Sequence, residues 1–145
     1  MYYLTQFLIA TFAAMGFAFY FNCPKKAIIT SCLFAGIAWT IFKFTLIKTN
    51  NYFLAGLYSA FILGLLGEFA ARKLKNPATV FIIPGLTPMV PGAGVYYSMY
   101  YLINENSKLA QESALETFFI ASSLAVGLVA SLSVIKVIKT FKYNS

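Results

Sequence analysis

The sequence predicts an all-α polytopic membrane protein with five transmembrane segments, the fourth a discontinuous helix broken by proline and glycine. Three observations predict it. Of 145 residues, 60% are hydrophobic and 10% charged, with a mean hydropathy of +0.76, whereas soluble domains are nearer half apolar and a quarter charged. Five apolar runs reach the roughly 20 residues that a spanning helix needs. One of those runs holds Pro84, Gly85, Pro88, Pro91, Gly92 and Gly94 in its interior, although proline and glycine are the poorest helix formers.

The first run spans roughly Tyr2 to Phe21. It starts almost at Met1, has no basic stretch ahead of it and is long enough to cross, so it reads as a first transmembrane helix and not as a cleavable leader. The second spans roughly Ala27 to Ile47, the third Tyr52 to Ala71, the fourth Ala78 to Ile103 and the fifth Ala114 to Ile138. The connections "NCPKK", "KTNN", "RKLKNP" and "NENSKLAQES" hold most of the charge, with the Asn and Pro residues that stop helices. No soluble domain fits between them and no internal repeat is visible. Residues 1–145 therefore read as a single integral membrane domain.

Charge placement sets the expected orientation. With five crossings, one face receives Lys25, Lys26, Arg72, Lys73, Lys75, Lys136, Lys139 and Lys142, and the other receives Lys43, Lys48 and Lys108. The richer face is expected to be cytoplasmic, which puts the N-terminus outside and the C-terminus inside, in the plasma membrane. A fourth segment that dipped in and returned to its own side would nearly erase this bias, so a full crossing is expected. At 1.5 Å per residue the segment would be about 39 Å long if wholly helical, longer than the hydrocarbon core.

Composition also excludes. The net charge of +7 is spread in short groups between apolar runs, with no groove-reading or base-stacking module, so no nucleic-acid partner is expected. Cys23 and Cys32 form neither a CxxC pair nor a Cys/His cluster, and His and Asp are absent. No metal site, cofactor or disulfide follows from them, and both cysteines read as small apolar fillers. No nucleophile constellation is visible, so the chain does not read as an enzyme.

In the fourth segment, three prolines and three glycines within "PGLTPMVPGAG" predict two half-helices joined by an extended piece. Unpaired backbone at membrane depth is tolerated only where protein buries it or water reaches it, and in transporters such breaks form substrate sites. The functional reading makes Pro84, Gly85, Thr87, Pro88, Pro91, Gly92, Gly94 and Tyr96 the lining of a substrate path, with the Thr87 hydroxyl and exposed backbone groups as ligands. The structural reading is a kinked packing helix, with Tyr96 and Tyr97 in an interfacial aromatic belt.

"NPATVFIIPGLTPMVPGAGVYYSMYYL" resembles the signature of the threonine/serine exporter (ThrE-like) family in its small-subunit form, and "GFAFYFNCPKKAI" resembles the end of that family's first helix. The matching motif positions are Asn22, Pro24, Pro84, Gly85, Pro88, Pro91, Gly92 and Tyr96. The resemblance implies a secondary exporter of small polar metabolites, with threonine and serine as namesake substrates and succinate linked to a related two-component system. It also implies a larger membrane subunit as partner. A homo-oligomer is a second assembly to test. Export of a small, succinate-like dicarboxylate is the alternative within transport, and a non-transporting assembly or regulatory subunit of a larger membrane partner is the reading from another class.

Ionisable groups inside spans are functional hypotheses by default. Glu68 and Arg72 stand at i and i+4 and are expected to pair near the cytoplasmic end. One reading is an interfacial ion pair; the other is gating or proton coupling by Glu68, whose pKa burial would raise. Lys43 is expected to snorkel to the outer interface, with Trp39 one turn earlier as a packing or gate residue. Glu105, Glu112 and Glu116 read as a solvated loop and helix cap. Gly56, Ala60 and Gly64 make a small-xxx-small stripe on the third helix. Ala121, Ala125, Gly127 and Ser131 give the fifth some of the same character, for packing within the chain or against a partner.

Overall fold

The computed structural model describes residues 1–143, with side chains as far as Ile138. Lys139 and Lys142, counted above on the basic face, have side chains outside those described. The described residues form helices α1 (Tyr2–Tyr20), α2 (Lys25–Thr49), α3 (Tyr52–Leu74), α4 (Thr79–Leu86), α5 (Gly92–Ile103) and α6 (Ser107–Tyr143), with a 3-10 turn at Thr87–Met89. Among the described residues, four helices are long and apolar enough to cross a membrane, and the α4–α5 pair, bent by 40°, makes a fifth candidate when counted as one span.

Local chemistry sets the helix ends. Asn22, Asn50 and Lys75 take left-handed backbone conformations after α1, α2 and α3, as chain-reversing residues after helices often do. Pro24 caps α2 with φ −55°, close to what its ring imposes, so α2 begins at Lys25 instead of Ala27. The Asn51 carboxamide accepts from the Phe53 and Leu54 amides (2.9 and 3.2 Å) and starts α3. The Asn106 side chain plays the same part for α6 through the Leu109 amide (3.4 Å). Helix α6 therefore starts at Ser107, two turns before its apolar pattern does.

The most extensive helix pair is α3 with α6. A Cβ on Gly56 would meet Ser123, one on Gly127 would lie 3.0 Å from the Ala60 Cβ and 2.6 Å from the Leu57 carbonyl, and one on Gly64 would meet Ser131. The expected stripe on α3 thus closes on a matching Ser123–Gly127–Ser131 stripe of α6, leaving Ala121 and Ala125 exposed on the opposite face. Small residues let backbones approach, which is what drives helix pairing where lipid tails are as apolar as leucine. The stripe on α3 is used within the chain.

Residue numbers rise together along both stripes, so α3 and α6 run parallel. An even number of crossings must separate parallel spans, counting the second of the pair. The α4–α5 segment therefore carries the chain from one face to the other and is not a re-entrant loop. Helix α4 descends antiparallel to α3, with Ile82 against Gly67 and Gly85 against Leu63. Helix α1 closes on α2 where Gly36 meets Thr11 and Phe7.

The central core joins Ala38 and Phe42 of α2, Ala55, Ala60 and Leu63 of α3, Leu124 of α6 and Met89 of the 3-10 turn. Phe119 of α6 lies beside Asn51–Phe53, level with the start of α3. The first three turns of α6, about 18 Å, thus project beyond the ends of α2 and α3. Helix α5 packs against this projection and has no buried residue.

Adding a methyl at Gly127 is expected to cost about 1–3 kcal/mol, because the obstacle is backbone and cannot step aside. Adding one at Gly16, with nothing within 4 Å, is expected to be neutral or stabilising. Thermal unfolding of Gly127→Ala and Gly16→Ala in detergent compares them directly; equal midpoints would contradict the tight α3–α6 seam.

Candidate functional site

The break is narrower than its six proline and glycine residues suggest. Helix α4 runs through Pro84 and Gly85, the 3-10 turn follows at once, and only Val90 and Pro91 lie between it and α5. The expected extended joint shrinks to Val90, with ψ 127°. No glycine in the chain uses a positive φ. Gly85 and Gly94 serve close approach instead, the first against Leu63 and the second against Thr117.

Each proline removes a helical donor. Pro84 cannot donate to the carbonyl of Val80, four residues back, and the Cys23 thiol does so from the α1–α2 turn (3.8 Å). Burial pushes the Cys23 thiol above its usual range. Cys23 is therefore more than an apolar filler. Thr87 turns its own hydroxyl back onto the Ile83 carbonyl (2.9 Å). The Gly92 amide is taken by the Val90 carbonyl (2.8 Å).

A cavity of about 430 Å³ opens at the break. Pro88, Met89, Val90, Pro91, Gly92, Ala93 and Gly94 form one wall. Trp39, Phe42, Lys43 and Leu46 of α2, Tyr52 of α3, Tyr97 of α5, and Ser113, Glu116, Thr117 and Ile120 of α6 form the others. It lies at the end of the bundle where α2 ends and α3 begins, below the α5–α6 projection. Gly92, Ala93 and Gly94, the first residues of α5, lie on its wall, and helix geometry leaves the Ala93 and Gly94 amides without an intrahelical acceptor.

The polar groups are arranged in pairs. Lys43 Nζ stands 4.8 Å above the Trp39 ring, a cation–π contact. Trp39 stacks on Phe42 (ring centroids 5.5 Å apart) and its Nε1–H donates to Gln6 Oε1 of α1 (2.8 Å). The Glu116 carboxylate and the Tyr52 phenol both line the cavity. The Thr117 hydroxyl donates to the Ser113 carbonyl (2.6 Å). Among the described residues, no ion pair joins Lys43 to Glu116.

Of the residues expected to line a path, the structure brings Pro88, Pro91, Gly92 and Gly94 together on the cavity wall. Pro84 and Gly85 are buried in α4 against α3. Thr87 lies outside the lining. Tyr96 points away, exposed and stacked on Tyr100 (6.2 Å), while Tyr97 takes the lining position. Asn22 and Pro24 shape the turn between α1 and α2 at the far end.

Glu68 and Arg72 form the expected i,i+4 pair (3.6 Å), with Glu68 15% and Arg72 47% exposed. They line a separate recess of about 190 Å³ with Ile135 and Ile138 of α6, toward the end of the bundle opposite the break. The residues that sequence reasoning passed over are Lys43, read as snorkelling, and Glu116, read as a cap. The available signal was that Lys43, like Glu68, is ionisable within a span.

The family model described as threonine/serine exporter, ThrE, matches residues 6–134. The chain is 33% identical over 75 residues to a protein of Corynebacterium glutamicum named threonine/serine exporter, covering 52% of this chain and 15% of that one. It is 25% identical over 100 residues to an uncharacterized protein of Haemophilus influenzae, covering 69% of this chain and 34% of the relative. The chain thus spans about a third or less of these curated relatives. No solved structure matches it.

In a variant lacking Cys23 and Cys32, a cysteine placed at Ala93 is expected to react readily with a charged maleimide, and one at Leu63, fully buried, is not. Equal labelling of the two would contradict a water-accessible cavity at the break.

Proposed function

Because the chain belongs to the threonine/serine exporter family, we propose that it is a membrane component of a secondary exporter moving small polar metabolites of the threonine/serine class out of the cytoplasm. The observation that supports this most is the cavity at the break. A recess that carries a few polar and charged groups in an apolar bundle, at a discontinuity in a spanning helix, is where transporters place substrate. The path is lined by Pro88, Pro91, Gly92 and Gly94, with Pro84 and Gly85 fixing the half-helix behind it. Thr87 and Tyr96 flank it, and Asn22 and Pro24 set the turn that anchors the far end.

In this reading a larger membrane subunit of the same family completes the exporter, and the basic face is cytoplasmic. The cavity then opens toward the outside, the state from which solute leaves. Glu68 and Arg72, at the cytoplasmic end, are placed to gate the opposite opening or to couple it to protons. The chemistry is binding and release, with no covalent step.

Efflux from cells preloaded with labelled threonine, serine or succinate tests this, with the chain alone and with a larger family member. Export of threonine or serine that requires both chains is the expected result. Export of succinate alone would replace the substrate class, and no export by both chains, each shown to be in the membrane, would favour an assembly role. Replacing Pro88 and Pro91 together by alanine is expected to lower export at least tenfold at unchanged abundance. In intact cells, a cysteine at Lys108 is expected to label from outside and one at Lys75 not; the reverse would invert the orientation.

A further inference from the structure

We propose that Lys43 and Glu116 act as a two-point clamp for the α-carboxylate and α-ammonium of an amino-acid zwitterion, and so decide which solutes the cavity accepts. This rests on the exporter reading above and adds residues and a selection rule to it.

The lining of the cavity contains one cation, Lys43, and one anion, Glu116. They come from different helices, α2 and α6, and do not pair with each other. Lys43 is held over the Trp39 ring, and Glu116 shares the cavity lining with the Tyr52 phenol. An aromatic face steadies an ammonium without neutralising its charge. A carboxylate can accept several hydrogen bonds. Both charges thus retain capacity for a ligand.

A zwitterion is the solute whose charges answer both. Its carboxylate faces Lys43 and its ammonium faces Glu116. A dicarboxylate would place its second carboxylate against Glu116, and like charges at short range in a partly apolar site repel strongly. Site-built polar recognition of this kind rejects analogues lacking a charged group far better than a cavity rejects a missing methylene. The volume, about 430 Å³, falls within the range of small-ligand sites.

The Trp39–Gln6 hydrogen bond ties the cationic half of the clamp to α1, whereas the anionic half sits on the α6 projection. Solute bound between them would bridge α2 and α6 across the break, so its release is free to alter how α5 and α6 lie against the bundle.

The test uses the complete exporter in cells, with competition for export of labelled threonine by threonine, its amino alcohol lacking the carboxylate, its deaminated hydroxy acid lacking the ammonium, and succinate. In the wild type, threonine is expected to compete at least tenfold better than the other three. Lys43→Gln is expected to erase the preference for threonine over the amino alcohol, and Glu116→Gln the preference over the hydroxy acid. Lys43→Arg and Glu116→Asp, which retain charge, are expected to keep the wild-type order. Unchanged selectivity in both glutamine variants overturns the clamp while leaving the exporter reading intact. Equal loss for every solute, at normal abundance and in the charge-retaining variants as well, overturns it in favour of a purely structural role. A wild type that neither exports threonine nor, when purified, binds it overturns both readings.

Discussion

The architecture depends on the seam between α3 and α6. In a bilayer, apolar side chains gain little by leaving lipid for one another, so helix pairs are held by close packing of small residues. Gly56, Ala60 and Gly64 on α3 and Ser123, Gly127 and Ser131 on α6 give that close approach over two turns. The serine hydroxyls are satisfied within α6, those of Ser123 and Ser131 donating to Ile120 and Leu128 carbonyls. The seam therefore buries no orphaned polar group. Because it is parallel, it requires the intervening α4–α5 segment to cross. The same seam levels Phe119 with the start of α3 and so sends the polar beginning of α6 beyond the bundle, over the cavity.

The crossing segment meets a second constraint, that backbone groups freed at membrane depth need partners. Its prolines remove donors at three places, and the chain replaces two of them. The Cys23 thiol supplies the Val80 carbonyl and the Val90 amide donates to the Thr87 carbonyl, while the Thr87 hydroxyl bonds the Ile83 carbonyl, which no proline deprives. Met89 is buried in the core shared by α2, α3 and α6, which fixes the turn in place. The first turn of α5 leaves the Ala93 and Gly94 amides without an intrahelical acceptor. A break that is largely satisfied from within can be rigid, and a rigid break holds the cavity wall in one shape.

Much of this was legible in the sequence. The five apolar runs, the interrupted fourth segment, the small-residue stripe on α3 and the Glu68–Arg72 pair all follow from local spacing, and local spacing is what a single chain displays. The extent of unwinding was overstated, because proline and glycine content counts lost helix propensity but not the tertiary partners that restore helix through Pro84 and Gly85. The start of α6 was placed late, since the hydropathy pattern that marks a span is silent about polar turns that continue the same helix. Lys43, Tyr52, Glu116 and Thr117 lie far apart in sequence and converge only because α2, α3 and α6 meet at one end. The bond from the Thr87 hydroxyl to the Ile83 carbonyl depends on the backbone conformation at the break, which residue type alone does not display.

Disulfide trapping across the α3–α6 seam tests most directly the claim that the broken segment crosses and opens a cavity between parallel spans. Cysteine pairs replacing Gly56 with Ser123, and Gly64 with Ser131, are predicted to cross-link in the membrane in an otherwise cysteine-free chain, because disulfides form only where backbones lie within about 7 Å. Cross-linking instead of Gly56 with Ser131, and of Gly64 with Ser123, would mean antiparallel spans and a re-entrant fourth segment, and would contradict the account.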